Sequence, residues 1–199
     1  MSTAVRLLSP LYQSLPREVV WAINCKRLAA EWRQANVIFV HVPKAAGTSV
    51  STVLYGRHMG HLGARTIKKH AASEYNSLYK FALVRNPWDR LYSAYHFAKV
   101  GGSEKVPMRH PEQYTVPAFA SFHAFVYEWL AGKDLTKLDF VFMPQSFFVL
   151  DESGKVLVDD VFKVEALAEC KHALSERLGR AIEIPAINCM QRDVGYREA

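Results

Sequence analysis

The stretch "VIFVHVPKAAGTSVSTVLYG", Val37 to Gly56, decides how this chain folds. Its first six residues, Val37 to Val42, form a continuous β-branched and aromatic run, the pattern of a strand buried on both faces. The chain then enters Pro43 to Gly47, and a helix is expected from Thr48 onward. A strand that passes through a small-residue loop into a helix turns successive backbone N–H groups and a helix N-terminus outward together, which makes an anion site. Ala45, Ala46 and Gly47 let an oxygen-rich group approach the backbone. Thr48 and Ser49 add hydroxyl donors, and Lys44 adds a full charge. The loop is not an ordinary P-loop, whose lysine directly follows the second glycine in G-x-x-x-x-G-K-[ST]. Here Lys44 precedes Gly47 by three residues. Taken alone, the stretch also fits a plain strand-to-helix turn with an exposed lysine.

A second stretch, "FALVRNPWDRLYSAYHF" from Phe81 to Phe97, repeats the arrangement. "KFALV" reads as a strand ending at Val84, Asn86 as a helix N-cap, Pro87 as the first helical residue and Asp89 as an acidic residue of the first turn. Arg85 stands at the mouth of this helix, suited to a bidentate grip on a phosphate. Ser93, about two turns along, can donate from the helix flank. The competing reading of Arg85 is a helix-capping ion pair with Asp89, and of Ser93 a residue small enough to pack. Ligands of open α/β sheets sit at the carboxyl ends of the strands, where these two turns converge. Two anion sites there imply a ligand carrying phosphates at both ends.

"PKAAGTS" with "VRNPWDRLYSAYHF" following it, Arg85 lying 41 positions after Lys44, resembles the motif pair of sulfotransferases that use 3′-phosphoadenosine 5′-phosphosulfate. The likeness is to the carbohydrate-type, family 2-like sulfotransferases, and within them to small bacterial members. The first motif resembles the 5′-phosphosulfate loop and carries over to Lys44, Ala45, Ala46, Gly47, Thr48 and Ser49. The second resembles the 3′-phosphate site and carries over to Arg85 and Ser93. "MPQSFFVLDESGKVLVDDVFKVEAL" is similar to the family's later strand pair and "IPAIN" to the segment after its final helix, so the similarity spans Phe39 to Asn188. The resemblance implies sulfuryl transfer to an acceptor hydroxyl, with a carbohydrate favoured as acceptor. It also explains the displaced lysine. The leaving oxygen bridges sulfur and the 5′-phosphate, and a lysine ahead of the loop can reach it, so that charge is stabilised by positioning and electrostatics. No metal is expected, because no Asp ends "FVFMP" to hold magnesium as a nucleoside triphosphatase needs.

An attacking hydroxyl needs a base, and histidine is the first suspect. Of the eight histidines, His41 in the first strand and His96 in the helix after Arg85 read as structural. His110, His123 and His172 fall outside the motifs, and His58 sits in a glycine-flanked segment. His70, in a segment similar to one preceding the 3′-phosphate motif in small bacterial relatives, is the favoured base. His61, in a Gly60-His61 pair like that of other relatives, is the second choice, and Glu74 is a further alternative. Two other classes share the anion-site logic: a P-loop-type small-molecule kinase and a noncatalytic nucleotide-binding module.

The remaining sequence fits one α/β domain over residues 1–199, with a P-loop-like three-layer fold and a mostly parallel central sheet flanked by helices. "DFVFMP" and "DDVFKV" are expected as third and fourth strands, Phe147 to Val158 as a hairpin around Ser153-Gly154, and residues 1–36 as a helical extension. Helical spacing marks Phe119 to Leu130, and Leu167 to Leu178 with Gly179 as the stop. Residues 99–118, broken by Gly101-Gly102, Pro107, Pro111 and Pro117, are expected as a lid or disordered loop on the acceptor side. Tyr95, Phe97 and Trp129 offer faces for a sugar but read first as core. A net charge of +6 with no basic run longer than "IKKH" favours an anionic partner while arguing against nucleic acid. Cys25, Cys170 and Cys189 lie too far apart for a C-x-x-C site, and no His stands at metal-ligand spacing to them. No membrane span can be drawn, so a cytoplasmic location is expected.

Overall fold

Three parallel strands carry the site, and the order of apolar residues along them explains their layers. In the computed structural model, which describes residues 15–103, 106–108 and 110–185, β1 (Val37–Val40) pairs with β2 (Tyr79–Val84), and β2 with β3 (Asp160–Lys163). The sheet order is β1-β2-β3. Phe39 stands opposite Phe81 and Val40 opposite Ala82, while Phe81 in turn faces Asp160. Side chains alternate between faces along each strand. Ile38, Val40 and Ala82 accordingly join one buried cluster, and Val37, Phe39, Phe81 and Leu83 another.

Helices cover both faces. On the first lie α1 (Arg17–Ala35), α3 (Ala64–His70) and α7 (Gln145–Val149), with Trp32, Ile67 and Phe148 in the cluster. On the second lie α2 (Gly47–Tyr55) and α8 (Leu167–Leu178), contributing Val50, Leu54, Cys170 and Leu174. Between α3 and β2 runs the short α4 (Ala72–Ser77). The three-layer, parallel architecture expected from the sequence is therefore present. Helix α8 stops at Gly179, whose φ of +63° is the left-handed turn that glycine accommodates without a Cβ penalty. A third cluster under α5 (Pro87–Lys99) gathers Tyr92, Tyr95, Phe119, Phe125 and Phe142. Tyr95 and Trp129 pack in this cluster, so the core reading of both holds.

Several expectations are corrected. "DFVFMP" is not a strand: residues 139–143 form turns closed by Phe142 N–H to Asp139 C=O at 2.8 Å. The carbonyls of Val141 and Met143 accept instead from the buried Arg90 guanidinium, at 3.1 and 2.7 Å, so no neighbouring strand is needed. The hairpin at 147–158 survives in part. Its first arm is taken by α7, leaving one antiparallel bridge, Leu150 with Val156, around a turn in which Asp151 accepts from the N–H groups of Ser153 and Lys155. The helix expected over Phe119 to Leu130 begins with a 3-10 turn at Pro117–Phe119. After α6 (Phe122–Ala124) it widens into a π-helical segment, Phe125–Leu130. The described part of residues 99–118 is ordered rather than unstructured: Gly102 bridges Pro107, and Met108 and Tyr114 are buried. Of "IPAIN", residues 186–188 lie outside the described residues, as does Cys189. Cys25 and Cys170 are buried free thiols, whose pKa values burial pushes up to about 11 and about 12.

Candidate active site

Because β1 and β2 are parallel, their carboxyl ends open on the same edge of the sheet, and the two turns leave from it side by side. The first is built by backbone conformation. Lys44 and Ala46 adopt φ values of +64° and +56°, a left-handed region that non-glycine residues enter at a cost of about 1–2 kcal/mol each. Right- and left-handed residues in succession turn their N–H groups toward a common point, the geometry of an anion nest. Ala46 provides no side-chain cap for α2, and the first turn of that nine-residue helix contains no acidic residue. The Ser49 N–H donates back to the Ala46 carbonyl at 3.1 Å, while Gly47 and Thr48 before it line the cavity.

Gly47 has a separate reason to be glycine. A Cβ there would stand 1.8 Å from Cδ2 and 2.0 Å from Nε2 of His41, which is buried directly behind the loop.

The second turn is built by side chains. Asn86 accepts from the N–H groups of Trp88 and Asp89 at 3.0 and 3.3 Å, which consumes the donors that a free helix N-terminus would present. Asn86 thus caps α5, as its place in the sequence suggests. What this turn offers is Arg85 and the buried Ser93. Gln145 holds the Arg85 backbone from both sides, accepting from its N–H at 2.9 Å and donating to its C=O at 2.8 Å. The guanidinium pairs with Asp89 and also donates to the Lys44 carbonyl at 3.3 Å, tying the second turn to the first. The ion pair raised as an alternative for Arg85 therefore exists, but in addition to its place on the cavity wall.

One cavity of about 520 Å³ collects these groups. Lys44, Ala46, Gly47 and Thr48 line it from the first turn, and Arg85 and Ser93 from the second. Ala45 and Ser49, the other two nominated residues, are buried and outside the lining. Lys44 Nζ lies 4.1 Å above the Phe97 ring, a cation–π contact that restrains its long side chain.

The histidines separate cleanly. His61 lines the cavity, stacked on Phe140 with ring centroids 4.6 Å apart. Its Nδ1 stands 3.2 Å from the His41 carbonyl, so Nδ1 carries the proton and Nε2 the lone pair. Burial and the neighbouring His58 and Lys44 push its pKa down to about 3, which keeps it neutral. His70 is not in the lining. It ends α3, where Nε2 meets Glu18 of α1 at 3.1 Å beside the Lys69–Glu18 ion pair. The favoured base thus sits on the α1–α3 surface, and the second choice sits in the cavity. Glu74 pairs with Arg33, also away from the lining.

Sequence reasoning passed over three contributors. His41 and His58 both line the cavity, although the sequence places His41 in a strand. Arg90, buried, donates at 3.3 Å to the Pro43 carbonyl as well as to Val141 and Met143, fastening the first turn to the segment behind it. Its position one turn into a helix, four residues after Asn86, gave no sign of this.

The Sulfotransferase family model matches residues 32–188, and the chain belongs to that family. No curated protein and no solved structure matches it significantly. The matched span begins within α1 and takes in both turns and all three strands. Among the described residues, no helix is long and apolar enough to cross a membrane.

Proposed function

We propose that the cavity transfers the sulfuryl group of 3′-phosphoadenosine 5′-phosphosulfate to an acceptor hydroxyl, with a carbohydrate as the acceptor class. The observation that carries this reading is the convergence of Lys44 and the Ala46–Thr48 backbone with Arg85 and Ser93 on one cavity beside a neutral His61. The first turn receives the 5′-phosphosulfate, and Arg85 with Ser93 receives the 3′-phosphate. The acceptor oxygen attacks sulfur in line, forming an O–S bond as the bond from sulfur to the 5′-phosphate oxygen breaks. The acceptor proton passes to Nε2 of His61, and Lys44 stabilises the charge that builds on the leaving oxygen. The products are a sulfate ester and adenosine 3′,5′-bisphosphate. A base held near pKa 3 is weak, but the negative charges of the bound donor favour its protonated form and raise it within the complex.

The acceptor side is formed by Phe97, Phe140 and the Gly102–Ser103 edge of the 99–118 segment, which together offer apolar faces and a hydroxyl. This favours a sugar over a charged acceptor. A kinase reading is disfavoured because no Asp or Glu lines the cavity among the described residues, leaving no carboxylate to hold a triphosphate's magnesium. Isothermal titration with adenosine 3′,5′-bisphosphate should give binding that ATP with magnesium does not, and the reverse result sinks the reading. Labelled donor with a glycan panel should then show transfer that His61→Ala reduces by ~100-fold or more and His70→Ala leaves within about twofold.

A further inference from the structure

We infer that His41, His58 and His61 form a site for a divalent transition-metal ion of the zinc class, and that an ion bound there blocks transfer by occupying the His61 lone pair. The three residues come from separate places in the sequence, the end of β1 and the loop after α2. Each offers a ring nitrogen, and these atoms all lie within 4.8 Å of one another. Three imidazoles on one tetrahedral ion, with Zn–N near 2.0–2.1 Å, place their donors about 3.4 Å apart and their ring centroids about 5 Å apart. The centroids here are 5.1 Å for His41–His58, 5.2 Å for His58–His61 and 4.2 Å for His41–His61. Two of the three separations already match, and the third needs the rings to open by about 1 Å.

Two further observations point to a ligand. The His41 side chain is 4% exposed, and its Nδ1 has no hydrogen-bond partner. A buried polar atom left unpaired is destabilising, and ring packing supplies no hydrogen-bond partner for it. His61 donates Nδ1–H to a backbone carbonyl and so presents Nε2 for coordination, the arrangement by which a carbonyl usually orients a metal-ligating histidine. All three histidines are held below their ordinary pKa by burial and stay neutral, as ligands must be.

Two features oppose the ion. The Lys44 charge lies close enough to His41 and His61 to depress both. His58 Nδ1 accepts a long 3.2 Å bond from the Gly60 N–H, which must be released whichever ring nitrogen binds the ion, because coordination through Nε2 moves the ring proton to Nδ1. All three histidines line the cavity, from which an anion or hydroxide can complete the shell and offset Lys44. Three nitrogen ligands without a thiolate suit Zn²⁺, Co²⁺, Ni²⁺ or Cu²⁺ rather than Mg²⁺ or Ca²⁺.

The inhibitory half rests on the reading of His61 as the base, whereas metal binding does not, so the two are tested apart. The metal-stripped full chain is titrated with Zn²⁺ by calorimetry and with Co²⁺ by visible absorption. One equivalent of each is expected, with the ligand-field bands of tetrahedral cobalt. His58→Gln and His58→Ala should each weaken Zn²⁺ by more than ~10-fold, with circular dichroism confirming the fold. No stoichiometric binding, or binding that neither variant weakens, overturns the site. Where transfer is measurable, one equivalent of Zn²⁺ should suppress it and chelation restore it. Transfer that Zn²⁺ leaves unchanged or raises overturns the inhibition while leaving the site itself to the binding data. Stoichiometric Zn²⁺ binding by a chain that, when metal-free, neither transfers sulfate nor binds adenosine 3′,5′-bisphosphate sinks the transferase reading instead.

Discussion

The two turns at the carboxyl edge of the sheet solve the same problem in opposite ways. After β1, the chain spends backbone strain: Lys44 and Ala46 are held left-handed, and α2 begins without a side-chain cap, so the proposed recognition falls to the peptide groups of the loop. After β2, the backbone is regular. Asn86 and Pro87 start α5 in the ordinary way, and the proposed recognition passes to Arg85, which Gln145 and Asp89 hold in position, and to the buried Ser93. The difference matches what each end of the proposed donor requires. The reacting phosphosulfate needs many short-range donors fixed before charge develops. A spectator phosphate needs a planar cation able to grip two oxygens.

The largest expected effect falls on the first turn. Lys44→Ala should lower kcat by ~100-fold or more, about 3 kcal/mol, with circular dichroism unchanged and bisphosphate affinity less affected. Near-normal turnover would break the assignment of the reacting end to this loop. Arg85→Ala should act on the other term of the comparison, raising the donor KM by about 10-fold or more through loss of a charge-assisted contact. An analogue lacking the 3′-phosphate should lose far less. Equal losses for both ligands, or a fall in kcat alone, would show that Arg85 serves the first turn through its bond to the Lys44 carbonyl rather than the phosphate. Arg85→Lys should rescue only in part, since an ammonium cannot reproduce the forked contacts to Asp89 and Lys44.

The second turn was the more legible of the two, because its determinants are local. Asn86, Pro87 and Asp89 stand in capping order, and the structure uses them so. In the first turn, small residues and a glycine marked an anion loop, yet no local preference announces that Lys44 and Ala46 turn left-handed. That conformation is braced from outside, by Arg90 holding the Pro43 carbonyl and His41 filling the space beside Gly47. Both are contacts between distant residues. The same limit explains the misread "DFVFMP": an apolar run says that residues are buried, and here a guanidinium satisfies their carbonyls instead of a strand. Gly60-His61 carried the signal that placed His61 in the cavity. His70 had resemblance in its favour, but its spacing to Arg85 along the chain says nothing about the fold of α3 against α1. The gathering of His41 with His58 and His61 depends on how the α2–α3 loop returns over β1, which no spacing encodes.

Acid should separate the two turns again. His41 and His61 belong to the first turn's surroundings and are neutral in the folded state, His61 with a pKa of about 3 and His41 also well below its ordinary value through burial. In the unfolded chain both return to about 6.5. As pH falls below that value, the unfolded state takes up protons that the native state refuses, so stability is fully present above pH 6.5 and declines on acidification. Each group contributes a slope of up to about 1.4 kcal/mol per pH unit until its folded pKa is reached. Chemical denaturation between pH 7.5 and 5 in the presence of chelator should show this decline, and His61→Gln should remove about one proton's share of it. A pH-independent midpoint would mean that these histidines take up protons in the native protein over the same pH range as in the unfolded chain.

The smallest effect bears on whether the strain in the first turn is functional or incidental. Ala46 occupies φ +56° at the start of α2, where glycine carries no Cβ penalty. Ala46→Gly relieves the folded state by about 1 kcal/mol but also frees the unfolded chain by about 0.4–1 kcal/mol, so the net change in stability should lie within ~1 kcal/mol of zero. Donor affinity gives the sharper reading. If the rest of the protein holds the nest in shape, glycine adopts the same conformation and bisphosphate binding changes by less than about threefold. If the alanine side chain itself fixes the turn by limiting its alternatives, the more flexible loop must be ordered on binding, and affinity falls by about 5-fold or more. Arg90 and His41 already pin the loop from two sides, so the first outcome is expected. The second would place rigidity in the loop's own residues, and the contrast with the side-chain-held Arg85 turn would then be one of origin as well as of form.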